Sequence, residues 1–90
     1  MTQSVIATSV KPLAGLRILT TFMDGKQTIY DCNQDIKTIK AFQKLTIPDE
    51  FEKVYLAYGG RSIAWGDGNE FEDPTMDSEV PYSEGLELER

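Results

Sequence analysis

Apolar and polar positions alternate near the start of the chain. Ile6, Thr8 and Val10 interleave with Ala7 and Ser9, the period-two signature of a half-buried strand, and Pro12 with Gly15 closes it. Leu16 to Phe22, rich in Ile, Leu, Thr and Phe, predicts a second strand, and Gln27 to Tyr30 a third. Between them Asp24-Gly25 turns the chain from Met23 to Lys26. Asp-Gly tolerates the left-handed backbone of a type I′ turn, so a tight hairpin is expected here.

The period changes over Asp31 to Leu45. Ile36, Ile39 and Phe42 recur every three residues, with Lys37, Lys40 and Lys44 on other faces. That spacing predicts one or two short helical turns lying across a sheet, nearer 3₁₀ than α in pitch. Thr46-Ile47-Pro48 interrupts it. Pro48 suits the first position of another brief helix, with Asp49 and Glu50 favoured beside its positive end. Phe51 and Val54 then point into the core.

Val54 to Tyr58 and Ser62 to Trp65 read as a second hairpin, turning on the two residues Gly59-Gly60, because adjacent glycines supply the positive φ angles a tight turn needs. Asp67-Gly68 marks a further turn, Glu70 to Glu72 a short edge strand, and Asp73-Pro74 a helix start with aspartate as cap and proline at the first helical position. Trp65 and Phe51 fall on the apolar phase of their elements and are expected in the core. Beyond Val80-Pro81 no periodicity holds a packed element. The expected organisation is one α+β domain over residues 1–80, two antiparallel β-hairpins with short helical turns between them, followed by an acidic, loose tail over 81–90.

Composition narrows the class. Ninety residues make one small domain, and hydrophobic and aromatic fractions of 40% and 10% support a folded core. A single cysteine rules out an internal disulfide, no apolar run approaches a membrane span, and no signal-peptide pattern opens the chain, so a reducing cytoplasmic setting is expected. Charge is uneven. Residues 1–65 hold eight bases and six acids, whereas residues 66–90 hold nine acids and one base, Arg90. Such an end repels nucleic acid and keeps a small protein soluble.

The residue inventory removes much chemistry. With no histidine, a Ser-His-Asp or Cys-His site is impossible and the commonest metal ligand is missing. Cys32 alone cannot build a zinc site, and a half-buried small side chain fits it better than a nucleophile. Gly59-Gly60-Arg61-Ser62 has the composition of an anion loop but runs into a strand rather than a helix. Asp67, Asn69, Glu70, Glu72 and Asp73 have the oxygen content of a calcium loop without its glutamate spacing, so a polar turn is expected. Glu70 and Glu72 share a strand face but have no third catalytic group beside them. The lysines of the helical turns make too small a basic face for nucleic acid. No enzyme, cofactor or metal is expected.

Val10-Lys11-Pro12-Leu13, the hairpin around Asp24-Gly25, and Phe51 to Trp65 followed by Asp67-Gly68 and Asp73-Pro74 resemble a bacterial family known as domain of unknown function 2442. The resemblance spans roughly residues 5 to 77 and is most specific over Tyr55 to Trp65. It implies a small α+β fold. It also implies a neighbouring gene for another small protein, in an arrangement like a toxin–antitoxin pair. Some relatives carry a helix-turn-helix domain for which ninety residues leave no room, so direct DNA binding is not expected. The expectation is a non-enzymatic protein-interaction module, with the antitoxin-like member of a two-gene pair as its specific form and homo-oligomerisation open. Its candidate surface is Tyr55, Tyr58, Arg61, Trp65, Glu84, Glu87 and Glu89. The alternative is a small-ligand-binding or regulatory sensor domain whose pocket is lined by Tyr55, Tyr58 and Trp65.

Overall fold

Alternation over residues 7–31 becomes a three-stranded meander in a computed structural model that describes residues 5–88. Strand β1 (Ala7–Leu13) pairs antiparallel with β2 (Arg17–Phe22), and β2 with β3 (Gln27–Asp31). The first turn sits where Asp24-Gly25 places it but is not type I′. Phe22 and Lys26 still share a backbone bond, so Met23, Asp24 and Gly25 form a three-residue loop, and Gly25 alone takes positive φ, at 93°. Asp24 Oδ1 accepts from the Lys26 amide at 2.9 Å, holding its own backbone in the ordinary region, and the left-handed glycine completes a type I turn with a bulge.

The chain then forms α1 (Asn33–Thr38), a 3₁₀ stretch (Lys40–Thr46) and α2 (Pro48–Phe51), with Pro48 in the first helical turn as expected. A second antiparallel sheet follows in the order β4 (Val54–Ala57), β5 (Ser62–Trp65), β6 (Thr75–Asp77). Together the two sheets and short helices make the expected α+β fold. Among the described residues no helix is long and apolar enough to cross a membrane.

Four details of the second half correct the sequence reading. The connection of β4 to β5 is not a two-residue turn: Ala57 and Ser62 are the last paired residues, so it holds Tyr58 to Arg61. Tyr58, Gly59 and Gly60 all take positive φ, at 51°, 66° and 92°. A Cβ on Gly60 would lie 2.2 Å from the Ala7 carbonyl oxygen, so the wider loop lets this backbone close onto β1. Second, the edge strand is Thr75–Asp77 rather than Glu70–Glu72, because Met76 and not the glutamates supplies a side chain for the core. Third, Asp73-Pro74 does not start a helix. Asp73 folds back to cap its own loop, and helix α3 (Glu79–Glu84) begins later, where Asp77 Oδ1 accepts from the Glu79 amide at 2.9 Å.

The fourth correction concerns residues 81–88, expected as a loose acidic tail. Pro81 is buried in α3, and Leu86–Glu87 forms β7, which completes a four-stranded sheet ordered β1-β2-β3-β7. Tyr82 packs edge-on against Phe22 with centroids 4.9 Å apart, carries Lys26 Nζ 4.1 Å over its ring, and donates to Asp24 Oδ2 at 2.6 Å. The Leu88 amide donates to the Gln27 carbonyl at 2.9 Å. One buried proline, one aromatic and the backbone of a two-residue strand suffice as anchors, without a long periodic pattern.

The core lies between the sheets and the helical segment. Ile18, Cys32, Ile36, Phe42, Leu45, Phe51, Ile63, Trp65 and Met76 form one buried cluster. Trp65, only 1% exposed, stacks tilted on Phe51 and edge-on to Phe42, with centroids at 6.0 and 5.5 Å. The core assignments of Trp65 and Phe51 hold.

Candidate interaction surface

On the face of β4 turned away from the core, Tyr55 meets the loop of residues 66–74 that joins β5 to β6. Val54 and Leu56 pack against the core, so strand alternation sends Tyr55 the other way. Its hydroxyl donates to Asp73 Oδ2 at 2.8 Å, and the same oxygen accepts from the Gly68 and Asn69 amides at 3.2 and 3.0 Å. A Cβ on Gly66 would lie 2.2 Å from the Asp73 carboxylate, so only glycine leaves room for that group to fold inward. Asn69 closes the far side: its carbonyl accepts from the Glu72 and Asp73 amides, and its side-chain oxygen accepts from the Phe71 amide.

Glu70 ties this loop to the neighbouring one. The Tyr58 amide donates to Glu70 Oε2 at 2.9 Å, and the Tyr58 hydroxyl donates to the Glu70 carbonyl at 3.0 Å. These bonds hold Tyr58 at a φ that costs a non-glycine residue roughly 1–2 kcal/mol. The consequence of both braces is the placement of Phe71. It stands 92% exposed between Glu70 and Glu72, on a loop whose backbone is fixed from two sides.

Electrostatics follow the same contacts. Desolvation and the hydrogen bond to Asp73 push the Tyr55 phenol up to about 12. Reciprocally, the Tyr55 hydroxyl, then the two backbone amides, hold the Asp73 carboxyl below the usual carboxylate range. Lys53 lies 3.6 Å from both Glu50 and Asp67, but exposed pairs of this kind contribute little.

Of the residues singled out from the sequence, Tyr55 and Tyr58 meet at this loop, and Arg61 is exposed at the end of the β4–β5 connection. Trp65 is not a surface residue, which corrects the expectation: it pairs with Val54 and its ring faces inward. The pocket proposed between Tyr55, Tyr58 and Trp65 therefore has no common wall. Glu84 and Glu87 belong to α3 and β7 on the other sheet, where Glu87 lies 3.8 Å from Lys26, and Glu89 lies outside the described residues. Phe71, Glu70 and Asp73 were missed as site residues. Their signal was a lone aromatic set between acids, in a stretch with no apolar partner at period two.

Cys32 is 1% exposed, and burial, then the Asp35 and Asp31 charges, push its thiol up to about 12, a state unsuited to nucleophilic attack. Among the described residues no three His, Cys, Asp or Glu side chains are grouped to hold a metal ion. No family model, curated protein or solved structure matches the chain.

Proposed function

We propose that the chain is a non-enzymatic protein-interaction module that presents Phe71 to a basic partner. The observation that carries this reading is the 92% exposure of Phe71 on a doubly braced loop. A large apolar side chain contributes almost nothing to the fold when left in water, yet burying it on a partner is worth about 1.5–3 kcal/mol. The loop is already ordered, so little conformational entropy remains to be lost on binding. Phe71 lies between Glu70 and Glu72 on a loop that also holds Asp67 and Asp73 and no base, and this local negative charge favours a partner offering an apolar pocket rimmed by Lys or Arg and speeds the encounter.

The partner that fits the family resemblance is the small protein encoded by an adjacent gene, with this chain as the antitoxin-like member. Co-expression with that reading frame should give a complex that survives size exclusion. In it, Phe71→Ala should weaken affinity about 30-fold or more, the range of a binding hot spot. A complex indifferent to Phe71→Ala, or no complex at micromolar concentrations, counts against the reading.

A further inference from the structure

The outer edge of β6 adjoins a cleft facing the helical segment, and the ladder alternation determines which backbone groups it leaves unpaired. The Trp65 amide donates to the Pro74 carbonyl, and the Ser78 amide to the Arg61 carbonyl. With Ile63 opposite Met76, hydrogen-bonded pairs therefore fall at 65/74, 63/76 and 61/78. Thr75 and Asp77 occupy the alternate positions and direct their N–H and C=O groups to the outer edge, where no further strand pairs among the described residues.

That edge borders a cleft of about 240 Å³ between β6 and the α1–3₁₀ segment. Its apolar lining comes from Ile39, Phe42, Met76 and Val80, and its only charged lining residues are Asp35 and Asp77. Neither carboxylate has a lysine or arginine partner among the described residues. Each is held in place by a neutral donor: the Tyr30 hydroxyl to Asp35 at 2.6 Å and the Glu79 amide to Asp77 at 2.9 Å. The volume lies below the roughly 300 Å³ at which small-molecule sites begin, and suits the side chains of an extended segment.

We propose that β6 takes an extended segment of the partner as an added strand, one whose apolar side chains enter this cleft while lysines or arginines meet Asp35 and Asp77. Strand addition supplies main-chain bonds at Thr75 and Asp77, and the cleft and carboxylates supply the side-chain preference. A second copy of this acidic chain is disfavoured as occupant, because self-pairing brings an unneutralised Asp77 onto like charge. The proposal rests on the interaction-module reading and specifies one partner element.

The test titrates full-length ¹⁵N-labelled protein with a capped nonapeptide alternating valine and lysine, at low salt. The expected result is saturable shifts centred on the Thr75 and Asp77 amides, with slowed exchange at both. A peptide N-methylated on every second amide, along the edge offered to β6, should bind about tenfold more weakly or worse, having lost its main-chain donors. The Asp35→Asn/Asp77→Asn variant keeps both neutral hydrogen bonds and should bind about three- to tenfold more weakly, a difference that salt erases. No binding at millimolar peptide, equal binding of the N-methylated peptide, or a tighter valine–glutamate peptide overturns the proposal. So do Thr75 and Asp77 shifts that follow protein concentration alone, which assign the edge to a second copy. If the peptide fails while the Phe71-dependent complex with the adjacent-gene product stands, the edge proposal alone falls; if both fail, so does the module reading.

Discussion

Two acidic regions of this chain, the loop of residues 66–74 and the segment from Glu79 to Leu88, look alike in composition and are put to opposite uses. The loop spends its carboxylates internally, Asp73 on Tyr55 and Glu70 on Tyr58, and leaves its one large apolar side chain in water. The C-terminal segment gives its aromatic, its proline and its backbone to the fold, and leaves Glu79, Glu84 and the Leu86 side chain exposed. Net charge thus says little about which part of a small protein is structural. What decides is where the apolar atoms and the backbone donors go.

The sharpest break in that comparison is removal of residues 81–90. It uncovers Phe22, which is 2% exposed, and deletes Tyr82 and β7. With about 1.5–3 kcal/mol at stake per large side chain, the loss should be about 3–6 kcal/mol. At roughly 4–8 °C per kcal/mol for a domain this size, the melting temperature should fall by more than ten degrees. A truncated chain that melts with the full one returns this segment to the status of a tail.

Trp65→Ala sets the scale of a core lesion. It should cost about 3–5 kcal/mol in urea unfolding, from lost transfer energy plus a cavity. Trp65→Phe should cost far less, since Nε1 has no hydrogen-bond partner to lose among the described residues. Equal losses for the two would show that the indole nitrogen matters in a way the packing does not reveal.

Ionisation sharpens the loop side of the comparison. The Tyr55 phenol is raised from 10.0 to about 12, so its stabilising contribution is complete below pH 10 and lost as pH climbs through about 12. Asp73 has the opposite sign: held below the ordinary carboxyl value of 3.8, it contributes above that pH and less as pH falls through its lowered value. Ultraviolet titration should show a tyrosine ionising near 12 in the wild type. In Asp73→Ala that tyrosine should move back towards the ordinary phenol value of about 10. No movement would mean that the carboxylate does not hold Tyr55.

The smallest effect belongs to Phe71→Ala. At 92% exposure it should change unfolding free energy by no more than about 0.5 kcal/mol, while the complex with a basic partner weakens. A destabilised Phe71→Ala protein would place the ring in the fold and remove the argument for presentation.

The first half was legible because its signals are local. Alternation, Asp24-Gly25 and Pro48 each specify backbone within a few residues, and even the missed turn type only adds Met23 to the loop and leaves positive φ to Gly25 alone. The second half depends on distant partners. Nothing near Gly60 announces that Ala7 will press against it, and nothing near Asp73 announces Tyr55, eighteen positions away. Tyr82 carried no periodicity, yet Phe22 and Asp24 were waiting for it around the Asp24-Gly25 turn. The interaction surface was half legible. Tyr55 and Tyr58 were found as aromatics, Trp65 was misplaced because tryptophan suits surfaces and cores alike, and Phe71 was hidden inside an expected strand.

Amide hydrogen exchange resolved by residue tests the contrast between the two acidic regions most directly. Leu88 donates to the Gln27 carbonyl as part of the four-stranded sheet, whereas the Phe71 amide reaches only the side chain of Asn69 on an exposed loop. The Leu88 amide should therefore share the protection of Gln27 to Asp31 and open with them, while Phe71 exchanges much faster through local opening. If Leu88 instead exchanges as fast as Phe71, the C-terminal segment is not part of the sheet, and the two acidic regions are not put to different uses.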